Sequence, residues 1–394
     1  MKKISLSAII ILFLLLSGCS TRALNINPAY INQQTTSGWQ QEVDELALPL
    51  IEQSENIGIT VGILSPGGTA KFYNYGYANL VEKKPITSDT IFAIGSSTKA
   101  LVSALMLALE HKGLLSLDES IADYLPAHLT FDDKRIAKLT FRQLATHTSG
   151  LRREPKTFRS GLIFLRYLVT GKNLYSHLTT EYLFNYLQTA KLKQQNGKPA
   201  YSNIGVGLLA YFLTVKFDKS LEELLATHVL KPLNMLGTKI SIDENNPWLA
   251  AGHSGDQPKL MARNRPLKNW QLSEVVVGTG GAYSTARNLM NFLRAHLGMS
   301  NSYLDPVLTK PQNTVGISYS TVLGWNIEHI PSANVDLYYS HGMISGFNCY
   351  LGFEPKSKSA IVVLRNNFNW RDTIGHQLLL RLSQQPKQKV SYGM

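Results

Sequence analysis

The stretch from Thr98 to about Lys112 places the tightest limit on what this chain can become. Leu101, Val102, Ala104, Leu105, Met106, Leu107, Ala108 and Leu109 put apolar side chains on nearly every side of a helix. A helix that is apolar all round belongs inside a fold, and Gly113 supplies its stop. It is entered through Ser96-Ser97-Thr98-Lys99. Ser96 sits where loop meets helix, and Lys99 follows three residues later on the same face. Burying an amine disfavours its charged form, and a neutral amine accepts a proton. A serine hydroxyl is a weak nucleophile until such a base takes its proton. The helix start also offers free N–H groups and a positive dipole end to a developing oxyanion. By itself the pattern reads equally well as a capping serine and a snorkelling lysine.

The chain has 394 residues, 44 % apolar and 17 % charged, enough to surround such a helix in one large domain or two small ones. Its N-terminus reads as a targeting segment over residues 1–18. Lys2 and Lys3 precede a largely apolar run of 13 residues from Ile4 to Leu16, short for a bilayer span. The run ends in Leu16-Ser17-Gly18-Cys19, which resembles the lipobox of bacterial lipoproteins. That resemblance implies lipidation of Cys19 and a membrane anchor; an ordinary secretory signal is the alternative. Ser20 in place of an aspartate favours the outer membrane, with the protein facing the periplasm. Residues 19–39 are rich in Asn, Gln, Thr and Ser and read as a flexible tether. The remaining cysteine, Cys349, has no partner beyond Cys19, so no disulfide framework is expected. The formal charge is +12, with basic clusters at Arg152-Arg153 and from Arg263 to Lys268. Such a surface suits an anionic lipid or wall polymer, or it is simply solvated. No nucleic-acid motif accompanies it, so no nucleic-acid partner is expected.

Beyond the tether, Val43, Leu46, Leu50 and Ile51 mark a helix from about 40 to 54. Ile57 to Leu64 and Thr69 to Tyr77 read as a hairpin around Ser65-Pro66-Gly67-Gly68. The middle, about 115–300, carries helical patterns separated by polar loops. Strands return around 320–329, 335–341, 346–354 and 359–365, and a last amphipathic helix is expected from Trp370 to Leu382. The expected fold is α/β of the α+β kind: an antiparallel sheet from both chain ends, flanked by helices, with an inserted helical lobe. The catalytic domain is expected over 40–385.

Two further segments carry chemistry. Tyr201-Ser202-Asn203 lies in the loop-rich middle, where a tyrosine can shuttle a proton and an asparagine can meet a substrate amide. His341-Gly342-Met343 lies on a late strand, where Gly342 permits close approach of a ligand. The order S-x-x-K, Y-x-N, then a basic residue with glycine on a late strand resembles the class C β-lactamase and DD-peptidase family, with its β-lactamase/transpeptidase-like fold. Thr146-His147-Thr148-Ser149-Gly150-Leu151, Gly280-Gly281-Ala282-Tyr283-Ser284-Thr285-Ala286 and Asp89-Thr90-Ile91-Phe92 resemble further segments of that family.

The resemblance implies Ser96 as acylated nucleophile, Lys99 and Tyr201 as the proton-transfer pair, and Asn203, His341 and Gly342 at the substrate. It implies an oxyanion hole from the N–H groups of Ser96 and Ile344. His341 stands in for the lysine of the family's K-T-G, which weakens a fixed charge for a substrate carboxylate. Met343 replaces its last glycine. Both departures put efficient penicillin hydrolysis in doubt more than acylation. The implied substrate is a cell-wall peptide, a β-lactam or a small ester, so a carboxylesterase of the same fold stays open. So does a non-catalytic wall-associated protein. His147 reads as a structural turn residue rather than a triad base. The chain has no G-x-S-x-G and no H-E-x-x-H. No cofactor and no metal are expected.

Overall fold

The computed structural model describes residues 39–53, 57–66, 69–194, 199–309, 321–369 and 373–384. The targeting segment, Cys19 and all of the tether before residue 39 lie outside these residues. The described residues belong to one compact unit.

A seven-stranded sheet forms the frame. In chain order its strands are β1 (Ile59–Leu64), β2 (Ala70–Tyr75), β3 (Thr321–Val322), β4 (Trp325–Ile330), β5 (Val335–Ile344), β6 (Phe347–Glu354) and β7 (Ser359–Arg365). They lie in the order β2-β1-β7-β6-β5-β4-β3, every pair antiparallel. The two chain ends therefore share one sheet through β1 and β7. The β1, β6 and β7 strands are buried at every residue, as strands covered on both faces must be.

Six helices matter here: α1 (Trp39–Gln53), α2 (Thr98–His111), α3 (Phe158–Thr170), α4 (Asn203–Phe217), α5 (Ala286–His296) and α6 (Ile374–Ser383). Two glycines identify the faces of the sheet. A Cβ on Gly62 of β1 would touch Met290 of α5, and one on Gly352 of β6 would touch Leu379 of α6. Counting through the strand pairs puts Gly62 and Gly352 on opposite faces. Helix α5, expected within the helical middle, thus covers the sheet. The last helix begins at Ile374, four residues later than its sequence pattern suggests.

Helix α2 is buried from Thr98 to Met106 and again at Ala108 and Leu109. Ala100, Ala104 and Ala108 form a small-residue stripe at a spacing of four, which lets neighbours approach closely. Fully burying a leucine such as Leu101 or Leu105 is worth about 1.5–3 kcal/mol. That apolar packing fixes the helix, and with it the turn that precedes it.

Candidate active site

Ser96 lies in a 3-10 turn, Gly95–Ser97, that leads directly into α2. Ser97, rather than Ser96, occupies the cap position, and its side chain makes no capping bond. The Thr98 hydroxyl closes the turn by donating to Gly95 O at 2.7 Å. It also accepts from Ala282 N at 3.1 Å, which ties the turn to the Gly280-Gly281-Ala282 loop. Freed from capping, the Ser96 hydroxyl meets two side chains. Lys99 Nζ lies 3.1 Å from Ser96 Oγ, and the Tyr201 hydroxyl also lies 3.1 Å from it. Lys99 is buried, and its Nζ also donates to Thr279 O at 2.6 Å. That carbonyl leaves no side-chain signature in the sequence.

Tyr201 is presented by the start of α4. Ser202 caps the helix, its Oγ accepting from Gly205 N at 2.9 Å, and donates to Arg152 O at 2.8 Å. Ser202 N donates to His147 Nδ1 at 3.1 Å. The His147 ring lies against the Tyr201 ring with centroids 4.7 Å apart. Burial, and then the Lys99 charge, push the His147 imidazole down to about 3. A neutral histidine at φ 60°, accepting from a backbone N–H, is a support for Tyr201. Burial works to raise the Tyr201 hydroxyl, but the Lys99 charge, hydrogen bonds with Lys99 and Ser96, and the Arg153 charge prevail and bring it below its ordinary value.

Asn203 is the first residue of α4. Its Nδ2 donates to Glu154, and Tyr175 OH donates to the same Glu154 oxygen at 3.0 Å. Desolvation raises the Glu154 carboxyl above its ordinary value, against those hydrogen bonds and the Arg153 and Lys99 charges. The sequence reading missed Glu154 and Tyr175 as neighbours of Asn203.

The late strand departs from expectation in three ways. First, Gly342 does not admit a ligand: a Cβ there would lie 1.9 Å from Ile94 O and 2.9 Å from Ser97 N. The glycine admits the Ser96 turn itself. Second, His341 does not share that face. It pairs across strands with Tyr350, ring centroids 6.4 Å apart, and a Cβ on Gly375 of α6 would lie 2.3 Å from Tyr350 Cδ1. His341 therefore lies on the α6 face, and the buried Ser340 shares Gly342's face. Third, the Ile344 amide is turned away. Ser345 and Gly346 form a two-residue hairpin turn with φ of 39° and 86°, so the flanking pair Ile344 and Phe347 exchange ladder bonds. Alternation then sends the Met343 amide to the other edge, where Tyr339 O accepts from Asn326 Nδ2. A Cβ on Gly95 would lie 2.6 Å from Met343 N. The strand amide beside the Ser96 turn is that of Met343.

A model of the beta-lactamase family matches residues 43–384. The chain belongs to the beta-lactamase family. A beta-lactamase of Providencia stuartii is 27 % identical over 386 residues, covering 87 % of this chain and 91 % of the relative. The D-alanyl-D-alanine-carboxypeptidase/endopeptidase AmpH of Escherichia coli strain K12 is 26 % identical over 257 residues, covering 65 % of this chain and 61 % of the relative. The beta-lactamase/D-alanine carboxypeptidase of Pseudomonas syringae superposes with a TM-score of 0.70 at 20 % identity, over 87 % of this chain and 98 % of that one. At that identity the likeness is one of fold. Membership makes this chain a serine hydrolase, with the β-lactamase/transpeptidase-like fold expected from its motifs. Among the described residues, no group of three or more His, Cys, Asp or Glu side chains is placed to hold a metal.

Proposed function

We propose that this serine hydrolase forms an acyl-enzyme on Ser96 and acts on D-alanyl peptides of the cell wall or on β-lactams. The observation that carries the reading is the convergence of Lys99 Nζ and Tyr201 OH on Ser96 Oγ, each at 3.1 Å. In this reading Lys99, in its neutral amine form, takes the Ser96 proton while its Nζ is aimed by Thr279 O. The freed Oγ attacks the substrate carbonyl, and the oxyanion meets the N–H groups of Ser96 and Met343. Tyr201 passes the proton to the leaving nitrogen, and water later releases the acyl group. The names of the relatives, beta-lactamase and D-alanyl-D-alanine-carboxypeptidase/endopeptidase, support this substrate class.

A small ester is the second reading. One observation favours it: the strand positions on the nucleophile's face are Ser340 and Gly342, so the strand offers no cation there to a substrate carboxylate. The test is intact-mass measurement of wild type and Ser96→Ala after exposure to a fluorescent penicillin and to a short-chain nitrophenyl ester. A single adduct in wild type, lost in Ser96→Ala, is expected. Labelling elsewhere, or an equally reactive Ser96→Ala, would overturn the mechanism. A wild type inert to both donors would favour a non-catalytic wall-associated role.

We also propose attachment to the periplasmic face of the outer membrane through a lipidated Cys19. Support comes from Leu16-Ser17-Gly18-Cys19 followed by Ser20. Cys19→Ala is expected to leave the precursor unprocessed or release the protein, and an unlipidated mature form starting elsewhere would refute it.

A further inference from the structure

Helix α3 is apolar yet lies on the outside. Of its thirteen residues only Tyr167 is buried, its ring edge-on to Trp270 at 5.6 Å. At 100° per residue, Phe158, Leu162, Leu165 and Val169 fall on one narrow stripe directly opposite Tyr167. Phe158 is 84 % exposed, Leu162 51 % and Val169 54 %. Leu260, 70 % exposed, sits beside them, its N–H donating to Leu168 O at 3.0 Å. Contiguous apolar patches of this kind mark contact surfaces.

Charge identifies the contact. Arg159 and Arg166, two turns apart, border one flank of the stripe. Arg159 lies over the Tyr182 ring at 5.6 Å, and Arg166 donates to Asn173 O and Ser176 Oγ. These partners are a ring, a carbonyl and a hydroxyl, so neither charge is neutralised by them. Near Leu260, the Asp256 carboxylate is engaged by Arg263 at 2.9 Å. An apolar stripe flanked by arginines that pair with no carboxylate among the described residues is the pattern of a helix lying in a lipid interface. A second copy of the chain fits less well, because a two-fold pairing of this face sets arginine against arginine.

We propose that α3, extended by Leu260, rests on a membrane surface carrying anionic phospholipid, with its apolar stripe among the outer acyl segments and Arg159 and Arg166 at the phosphates. The same helix stands close to the site: Tyr167 meets Trp270, Trp270 meets Tyr175 at 5.9 Å, and Tyr175 donates to the Glu154 carboxylate that holds Asn203. The surface is independent of Cys19 and of the substrate proposed above.

The test is hydrogen–deuterium exchange on the full chain bound to vesicles of phosphatidylcholine alone, or with about one-third phosphatidylglycerol. Any N-terminal attachment is common to both. Exchange across residues 158–170 and 258–263 is expected to slow roughly five- to tenfold more in the anionic vesicles. Arg159→Glu with Arg166→Glu should reduce the protection to the neutral-vesicle level. Phe158→Ser with Leu162→Ser and Val169→Ser should remove it in both, with circular dichroism unchanged because these side chains face solvent. Equal exchange in both vesicles would overturn the proposal. So would protection that grows with protein concentration in the absence of lipid, which would assign the stripe to a second copy.

Discussion

The Asn203 side-chain amide donates to the Glu154 carboxylate, and the Tyr175 hydroxyl, 3.4 Å from the same Nδ2, donates to the same oxygen. Both Nδ2 protons are thereby directed into the protein. The Asn203 Oδ1 is buried and accepts no hydrogen bond from the described residues. An asparagine held this way has its donor side engaged, so a substrate group brought against it would meet the Oδ1 acceptor: a substrate N–H rather than a substrate carbonyl.

Glu154→Gln tests the clamp through pH. The Glu154 carboxyl is raised above its ordinary value, first by desolvation, so the folded state favours its protonated form. Its contribution to stability is fully present below the ordinary carboxyl value and is lost as pH rises through the raised one. The glutamine of the variant keeps an oxygen acceptor and does not titrate. The melting temperature of Glu154→Gln relative to wild type is expected to climb as pH rises from about 4 to about 8. A difference that stays flat over thermal melts in that range would contradict the clamp.

His147 predicts the opposite slope. Its imidazole is lowered to about 3 by burial and the Lys99 charge, so it stays neutral in the fold. Its contribution is present above the ordinary histidine value and is lost as pH falls toward 3. The loss is on the order of a few kcal/mol. His147→Asn tolerates the φ of 60° and removes the titration. The variant's acid limb, followed by melting temperature, should be shallower than that of wild type between about pH 6 and pH 3. Parallel limbs would show that His147 takes up no proton on acid unfolding.

The pattern of success in reading the sequence follows from where the information sits. Ser96, Lys99 and Tyr201 each stand at the start of a helix, where local spacing and capping are visible. The geometry then only has to bring α2 and α4 together, which their apolar faces ensure. The late strand is different. Which residue of His341, Gly342, Met343 and Ile344 faces the nucleophile depends on strand parity, and parity is set by the two-residue turn at Ser345-Gly346. Matching His341 to a family lysine by motif shifted that parity by one. Thr279 acts through a carbonyl and Glu154 through a loop, so neither carries a pattern. Nothing in the sequence pattern singles out the exposed stripe of α3, because periodicity does not say which side of a helix faces the protein.

A pair of glycines separates close packing from simple flexibility. Gly342→Ala forces a methyl to within 1.9 Å of Ile94 O, so either β5 or the Ser96 turn must move. Overpacking of this kind costs about 1–3 kcal/mol and should depress acylation together with stability. Gly161→Ala, inside α3 with nothing within 4 Å of the new Cβ, should instead gain about 0.5–1 kcal/mol from helix propensity. Denaturant unfolding of the two variants checks both signs. A neutral Gly342→Ala would mean that β5 and the turn are not in the contact described.

The oxyanion partner can be decided by removing single amides. Ile344 N–H belongs to the ladder beside the turn, whereas Met343 N–H points to the edge next to Gly95. Proline at a ladder position removes a sheet hydrogen bond, but an edge-facing N–H can be replaced with less damage. Met343→Pro is therefore expected to stay folded by circular dichroism and to lose about 10²- to 10³-fold in acylation rate, the effect of deleting one oxyanion donor. Ile344→Pro is expected to lower the melting temperature by clearly more, since it breaks the closing pair of the hairpin. Stopped-flow acylation with an activated ester and parallel thermal melts measure the two effects. Wild-type acylation by a folded Met343→Pro would remove that amide from the mechanism, and with it the strand parity assigned to β5.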